Sequence, residues 1–381
     1  MRIVLCEPVR TAIGTYGGSL KDTPATRLGA AAIQAALARS KVDPKLIDAV
    51  VMGQVVQAGA GMNPARQAAI GSGLGVAVPA MTVNRVCGSG LQAIVNAALE
   101  ILAGGANVLV AGGMENMDQA PYLAGGARWG YRMGDAALVD AMLRDGLNDA
   151  FSSKHSGWHT EDLVTRYKVS REDPDRWALR SQQRFSAAQA AGRFTAEIAA
   201  VEIRVRGKPA TFDRDEHNRP DTTQESLTRL KPAFRPDGTI TAGNAPGLNS
   251  GAAAVVVASE DFASRHGLKP WERAGAQQRP RIVSFAVAAV EPEFFGIAPV
   301  PAVRLALERA QWKVGDLERM EINEAFAAIV LACLRELGLA EDVVNVEGGA
   351  IAHGHPIGAT GAMLTTRLLH RCGATASSAA W

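Results

Sequence analysis

The sequence predicts an α/β fold whose sheet is covered on both faces. Short apolar strand patterns alternate with Ala- and Leu-rich helical stretches over the first third of the chain and again over the last. That alternation is the signature of strands joined by helices. Small residues dominate: 39 glycines are present while aromatics make up only 5%. Such a composition suits helices packed closely on a sheet better than an aromatic-rich sandwich. A long polar stretch without strand rhythm separates the two regular regions.

The elements follow in order. Ile3 to Cys6 reads as a strand, Arg27 to Ser40 as a helix and Asp48 to Gly53 as a second strand. Asn63 to Ile70 is helical, Met81 to Val83 extended, and Ser89 to Leu102 a long helix. Asn107 to Ala111 is a fourth strand, ended by Gly112-Gly113. From Met114 to about Thr241 the pattern breaks, leaving one helix from Pro174 to Ala191. A long irregular insertion in a compact fold is a functional lobe or lid, or else a surface decoration. Regularity returns with strands at Ala252–Ala258 and Arg281–Ala288, then a helix at Val300–Ala310. A strand at Met320–Ile322 leads into a helix at Ala325–Leu337, and Val343–Val346 precedes a glycine-rich turn and a last helix from Gly361 to His370. A hint of duplication links Ala36–Arg39 and Lys41–Asp43 to Ala306–Arg309 and Lys313–Asp316, each pair running from a helix end through a turn toward a strand.

Composition excludes several classes. The chain has 381 residues, 47% hydrophobic and 20% charged, enough for a substantial core and too apolar for disorder. Forty basic against 38 acidic residues leave a net charge of +2, without the basic footprint of a nucleic-acid binder. Cys6, Cys87, Cys333 and Cys372 are widely spaced, with no CxxC pair and no zinc-type spacing. A reducing compartment, the cytoplasm, is therefore expected, with no metal site. The longest apolar runs, such as Ala252 to Ala258, are far short of the ~20 residues a membrane helix needs, and the N-terminus enters a strand without a signal-type apolar segment.

Three constellations carry chemistry. Cys87 sits between a strand and a helix in Val86-Cys87-Gly88-Ser89-Gly90. A thiol at a helix start is expected to have a lowered pKa, and the flanking glycines open the backbone N–H groups to a carbonyl. The alternative is a buried, inert cysteine. Gly348 to Gly361 packs five glycines around His353 and His355. A histidine held by a rigid loop suits general acid–base work; a His-x-His metal pair needs a third ligand, and the sequence supplies none at metal spacing. Asn323, in Asn323-Glu324-Ala325-Phe326, is either a helix N-cap or a donor to a developing oxyanion.

Together, NRVCGSGLQAI around Cys87, GGMENM, TAGNAPGLNSGAAAV, NEAFAA and GGAIAHGHPIGATGA resemble the thiolase family, from Val9-Arg10-Thr11-Ala12-Ile13-Gly14 to about His370. The resemblance implies a five-layer αβαβα fold of two similar halves. Residues 1–117, completed by about 249–270, form the first half; 118–248 form a loop domain for coenzyme A; 271–381 form the second half, which is expected to be truncated. It further implies an acyltransferase that condenses acyl-CoA with acetyl-CoA or runs the reverse thiolysis, in fatty acid or polyhydroxyalkanoate metabolism. Cys87 resembles the nucleophile, His355 the base that activates it, and Asn323 with His355 the pair that steadies the enolate oxygen. His353 resembles a loop neighbour. His155, Arg219, Ser226, Phe234, Ala242, Ala245, Pro246, Leu248 and Phe326 fall where the family contacts coenzyme A. The implied ligands are coenzyme A thioesters as substrates, with no separate cofactor, and the implied assembly is a homodimer or homotetramer.

The chain departs from the family in four places. Pro246 stands where serine is usual, Ser156 where a larger apolar residue is common, and Phe295-Gly296 in a turn expected to floor the acyl pocket. The family's Cys-x-Gly motif, whose cysteine moves the second substrate's α-proton, has no counterpart near Cys372, which reads as tail. This keeps a second reading open, a degenerate thiolase-like protein that binds acyl-CoA or serves as a structural partner without forming the carbon–carbon bond. A ketoacyl synthase is a third reading and fits NEAFAA poorly.

Overall fold

A computed structural model describes residues 1–205, 207–268, 280–372 and 379–380 of the chain. Its centre is a sheet made from runs that are apolar on both faces. Five strands carry it: β1 (Ile3–Thr11), β2 (Ala49–Gly53), β3 (Ala80–Val83), β4 (Val108–Asn116) and β5 (Asn249–Ser259). They lie in the order β1-β5-β4-β2-β3. β3, β2 and β4 run parallel. β5 returns antiparallel to β4 in unbroken register, from Ser250 opposite Asn116 to Ala258 opposite Val108.

The two-residue period of a strand sends alternate side chains to opposite faces. Along β5, Ala252, Ala254, Val256 and Ala258 enter one core, which Leu28 and Ile33 of α1 (Ala25–Ser40) and Ala65 and Ala68 of α2 (Pro64–Gly71) complete. Ala253, Val255 and Val257 enter the other core with Ala93, Ile94, Ala97, Ala98 and Ile101 of α3 (Ser89–Leu102). The apolar stripe of α3 recurs at helical spacing, so one face of the helix is buried.

The second half stacks on that face of the sheet. The insertion supplies α4 (Ser156–Tyr167) and α5 (Glu172–Ala190), and the second half α6 (Pro299–Ala310), α7 (Ala327–Leu337) and α8 (Thr360–Cys372). α8 lies beside α3 and shares its core through Ala362, Met363 and Leu369. A short strand at Arg319–Met320 pairs in parallel with Ala379–Ala380, and α4 to α7 close a separate core around Trp177, Met320 and Ile322. The order helix, sheet, helix, sheet, helix is the five-layer αβαβα arrangement. The duplication is visible locally: α1 ends on left-handed Lys41 and α6 on left-handed Gln311, and each leads through a 3-10 turn into a strand.

Several sequence expectations change. Gly112 and Gly113 do not end β4, which continues to Asn116. They are glycines because of crowding: a Cβ on Gly112 would meet the Ala253 carbonyl at 2.0 Å, and one on Gly113 the Gly358 carbonyl at 2.1 Å. The insertion does contain strand pairs, Val201–Val205 against Lys208–Phe212 and Tyr122–Leu123 against Val139–Asp140, as well as α4. Conversely, the strand expected at Arg281–Ala288 is reduced to Arg281–Ile282, paired with β1, and Val343–Val346 contributes one bridge, Val344 to Met320. Strands need a neighbour to hydrogen-bond: past Ile282 the antiparallel register runs beyond Ile3, the first residue of β1, and Val344 meets only the two-residue strand Arg319–Met320. Cys372 closes the backbone of α8, while its side chain and residues 373–378 and 381 lie outside the described residues, so the expected tail reading stays an expectation.

A buried guanidinium ties the insertion to the sheet. Arg10 of β1 donates to Glu197 at 2.7 Å and, through both terminal nitrogens, to Asp215 at 2.7 and 2.8 Å. Removing Arg10 would leave two buried carboxylates without their common partner.

Candidate active site

β3 ends at Val83, and the chain turns sharply through Asn84, Arg85 and Val86 before α3. Val86 has φ +46°, a region β-branched residues rarely enter. The turn is held by Asn84, whose side-chain oxygen accepts from the Val86 N–H at 2.9 Å, and by Ser89, which accepts from the Arg85 N–H and donates to the Val86 carbonyl. Cys87 is thereby presented just ahead of the helix, with Gly88 at the N-cap.

His355 comes from the glycine loop before α8. Its backbone N–H donates to Asn249 Oδ1 at 2.8 Å, and the Asn249 amide donates to the Gly14 carbonyl. Gly354, at φ +101°, leaves room for that contact: a Cβ would lie 2.6 Å from the Asn249 side chain. Small residues bring the two loops together. A Cβ on Gly90 of α3 would sit 2.7 Å from the Ala362 nitrogen of α8, and one on Gly361 2.5 Å from the Leu91 nitrogen. The helices therefore cross at near backbone contact, and their N-terminal loops meet.

The meeting point is a small constellation. His355 Nε2 lies 3.1 Å from Cys87 Sγ and 3.2 Å from Asn323 Nδ2, while His355 Nδ1 lies 2.7 Å from Thr360 Oγ1. Asn323 is not a helix cap, because Phe326 takes that position in front of α7. The N-cap reading is thus set aside and the side chain faces the histidine. The lowered thiol pKa expected for Cys87 is also corrected. Desolvation pushes the thiol up to about 12, with Glu115 adding to the rise, and this outweighs any helix-terminus effect. Burial holds His355 down to about 4. At neutral pH the pair is an uncharged thiol beside a neutral imidazole.

Glu115, in the GGMENM segment that forms the end of β4, joins the site without a signal in its local sequence. Its carboxyl accepts from the backbone N–H groups of Val55, Val56 and Gly358 at 2.9, 3.3 and 3.0 Å, and burial pushes it up to about 7. It clips the histidine loop to the sheet. Asn249 and Thr360 join the site likewise; all three are polar residues inside otherwise apolar or glycine-rich motifs.

The residues matched to coenzyme A fall into two groups. His155 stacks on Phe234 with ring centroids 4.6 Å apart, and Phe326 meets Phe234 edge-on at 6.0 Å. Burial lowers the His155 pKa, and its Nδ1 accepts from the Gly157 N–H at 2.9 Å. Ala245 packs in the same core as Phe234 and Phe326. Leu248, at the far end of that turn, instead joins Cys87, Val55, Val56, Met117, Met142 and Ile357 in the apolar cluster around the nucleophile. The turn from Ala242 through Pro246 to Leu248 therefore links the aromatic trio to the thiol. Arg219 reaches the Ala242 carbonyl at 3.5 Å, whereas the Ser226 hydroxyl is engaged with Thr223 in a capping box. The turn at Phe295-Gly296 does not belong to the cluster around Cys87: a Cβ on Gly296 would meet Ile329 and Leu163 instead. His353 is buried, bonded to the Gly354 carbonyl and tilted against Phe185. Among the described residues no group of three or more metal-capable side chains is present, and no helix is long and apolar enough to cross a membrane.

A cysteine whose proton can pass to a neutral histidine, with an amide donor on the same nitrogen, defines an acyl-transfer site built on a duplicated α/β fold. The family models agree with that class: the thiolase N-terminal domain matches residues 3–261 and the thiolase C-terminal domain residues 276–380. The chain belongs to the thiolase family. It is 50% identical over 369 residues to an acetyl-CoA acetyltransferase of Cupriavidus necator, covering 97% of this chain and 92% of that one. It is 48% identical over 371 residues to an acetyl-CoA acetyltransferase of Chromobacterium violaceum, covering 97% and 93%. Among solved structures, the acetyl-CoA acetyltransferase of Bacillus anthracis superposes with a TM-score of 0.93 at 41% identity, and human mitochondrial 3-ketoacyl-CoA thiolase with 0.92 at 42%, each covering 97% of this chain and 92% of the other.

Proposed function

We propose that the chain transfers acyl groups between coenzyme A thioesters through an acyl-Cys87 intermediate, condensing acetyl-CoA with an acyl-CoA or cleaving a 3-ketoacyl-CoA by thiolysis. The observation that carries this is the contact of His355 Nε2 with both Cys87 Sγ and Asn323 Nδ2. In the first half-reaction the Cys87 sulfur attacks the thioester carbonyl while its proton passes to His355 Nε2. The tetrahedral adduct collapses, the coenzyme A thiolate leaves, and the imidazolium returns the proton to it. In the second, His355 Nε2 takes the α-proton of acetyl-CoA while the Asn323 amide donates to the enolate oxygen, the enolate carbon attacks the acyl-Cys87 carbonyl, and the departing Cys87 thiolate takes that proton back from His355. The aromatic trio His155, Phe234 and Phe326 and the turn from Ala242 to Leu248 are the proposed seat of the coenzyme, with Arg219 on its rim. Support comes from the names of the relatives, all of which act on coenzyme A thioesters.

Intact mass and peptide mapping after incubation with acetyl-CoA test the intermediate. An acetyl group on Cys87, absent in Cys87→Ser, is expected, together with a loss of thiolysis of about a thousand-fold or more in that variant. Unchanged turnover in Cys87→Ser would remove the proposal. An adduct without condensation or thiolysis would favour the non-condensing reading.

The proposed assembly is a homodimer or a pair of dimers, and the proposed compartment is the cytoplasm. Self-association is supported by β3, which lies at the edge of the sheet with Met81 exposed and with Val86, Leu99 and Leu102 exposed nearby. Light scattering on the purified protein measures the assembly.

A further inference from the structure

The second nitrogen of the candidate base has its own partner, and that partner has a prior engagement. Thr360 Oγ1 lies 2.7 Å from His355 Nδ1 and also donates to the Pro356 carbonyl at 2.9 Å. A hydroxyl carries one proton and two lone pairs. With that proton on Pro356, Thr360 is an acceptor toward His355, so Nδ1 must carry the hydrogen. The opposite side of the ring agrees. At Nε2 the Asn323 amide nitrogen can only donate and the Cys87 thiol can donate, so a lone pair there serves both.

We infer that Thr360 is a positioning residue that fixes His355 in the Nδ1–H tautomer, leaving Nε2 bare to take the Cys87 proton. The role rests on the acyl-transfer reading proposed above. It accounts for a buried hydroxyl at the first residue of α8, a place where a small apolar residue would satisfy packing alone. The proton balance is closed. When Cys87 attacks, its proton moves to Nε2, and the imidazolium keeps its Nδ1 hydrogen on Thr360, whose own hydrogen stays on the Pro356 carbonyl. When the leaving thiolate takes the Nε2 proton back, the starting tautomer is restored without a rearrangement. Asn249 fixes the backbone of the same histidine and Thr360 fixes its ring, so the two set independent coordinates of the base. In the other tautomer Nε2 would turn a hydrogen on the Asn323 amide N–H and could accept no proton from Cys87.

Two measurements test this. Nitrogen NMR of the resting protein carrying 15N-histidine, with the His355 signals identified by their loss in His355→Asn, reads the tautomer directly and needs no substrate. Protonated Nδ1 and bare Nε2 are expected; the reverse pattern overturns the inference whether or not Cys87 is ever acylated. The kinetic arm compares Thr360→Val, which keeps the shape and deletes the hydroxyl, with Thr360→Ser. For acetyl transfer from acetyl-CoA to Cys87, kcat should fall about ten- to a hundred-fold in Thr360→Val with KM little changed, and Thr360→Ser should restore it close to the parent value. A Thr360→Val protein acylated at the parent rate, or a Thr360→Ser protein as slow as Thr360→Val, counts against the role. Should Thr360→Val fail to fold, the tautomer spectrum of the parent decides alone. A parent protein that shows the expected tautomer yet never acylates would refute the proposed function and leave the tautomer assignment standing.

Discussion

Cys87 and His355 meet as uncharged partners, and their pH dependence should show it. Desolvation holds the thiol near 12 and the imidazole near 4, so over the whole neutral range the base is free to accept a proton and the nucleophile is a thiol. The rate of Cys87 acetylation, followed by rapid quench against pH, should show no acid loss at ~6.5, where an ordinary histidine titrates, any change there being a small rise as Glu115 gains its proton at about 7, and should fall only as the pH drops toward about 4. A clear acid limb centred on an ordinary histidine value would mean the imidazole is hydrated and the geometry looser than described. The nucleophile, the base and Asn323 were all legible as residues, because glycines and motif context single them out. Their electrostatics were not. The position of Cys87 before a helix suggests a stabilised thiolate, but desolvation depends on Val55, Met142 and Leu248, residues remote in sequence that gather around it. Asn249, Thr360 and Glu115 escaped for a related reason: each acts through a hydrogen bond to a segment that only the tertiary fold brings near.

Elements were easier to read than their limits. α3 was placed at Ser89–Leu102 by its Ala- and Leu-rich stripe, and the structure has the same bounds. Gly112-Gly113 was read as a strand end because glycine often marks one, whereas here it marks two close backbone approaches inside β4. A strand over Arg281–Ala288 follows from composition, which reports what a segment tolerates and not whether a neighbour continues beside it. The glycines at the crossing of α3 and α8 carry a prediction at this scale. Gly90→Ala puts a methyl 2.7 Å from the Ala362 nitrogen, so the helices must separate, at a cost of about 1–3 kcal/mol. Because Cys87 and His355 ride at the starts of those helices, the Gly90→Ala protein should also acetylate Cys87 more slowly. Urea unfolding and the acetylation assay on the same preparation check both. A stability loss with an unchanged rate would show that the loops are held independently of the crossing, by clips such as Glu115.

Across the whole molecule the α/β class is legible in the alternation of elements and the αβαβα layering in the resemblance to the family, while the long-range ionic ties are legible in neither. Arg10 to Glu197 and Asp215 spans the sheet and the insertion, and no local pattern announces such a pairing. Glu321 lies at the base of the second half, where burial pushes its carboxyl up to about 8, against the pull of Arg367. A raised carboxyl pKa means the folded protein keeps a proton the unfolded chain has released. Its stabilising effect is therefore complete below the usual value near 4.5 and declines as pH rises to about 8. Glu321→Gln, which cannot ionise, should unfold like the parent at pH ~4 and be more stable at pH ~9 by about 1 kcal/mol or more; urea midpoints at both values test it, and a variant weaker at both would refute the assignment. The separation of the active-site residues along the chain has one more consequence, for the time at which chemistry becomes available. Cys87 and its base are 268 residues apart. At ordinary synthesis rates the thiol leaves the ribosome on the order of tens of seconds before His355 exists. Throughout that interval the thiol lacks the base that takes its proton in the folded site, so the acyl-transfer pair comes into being only when α8 docks against α3.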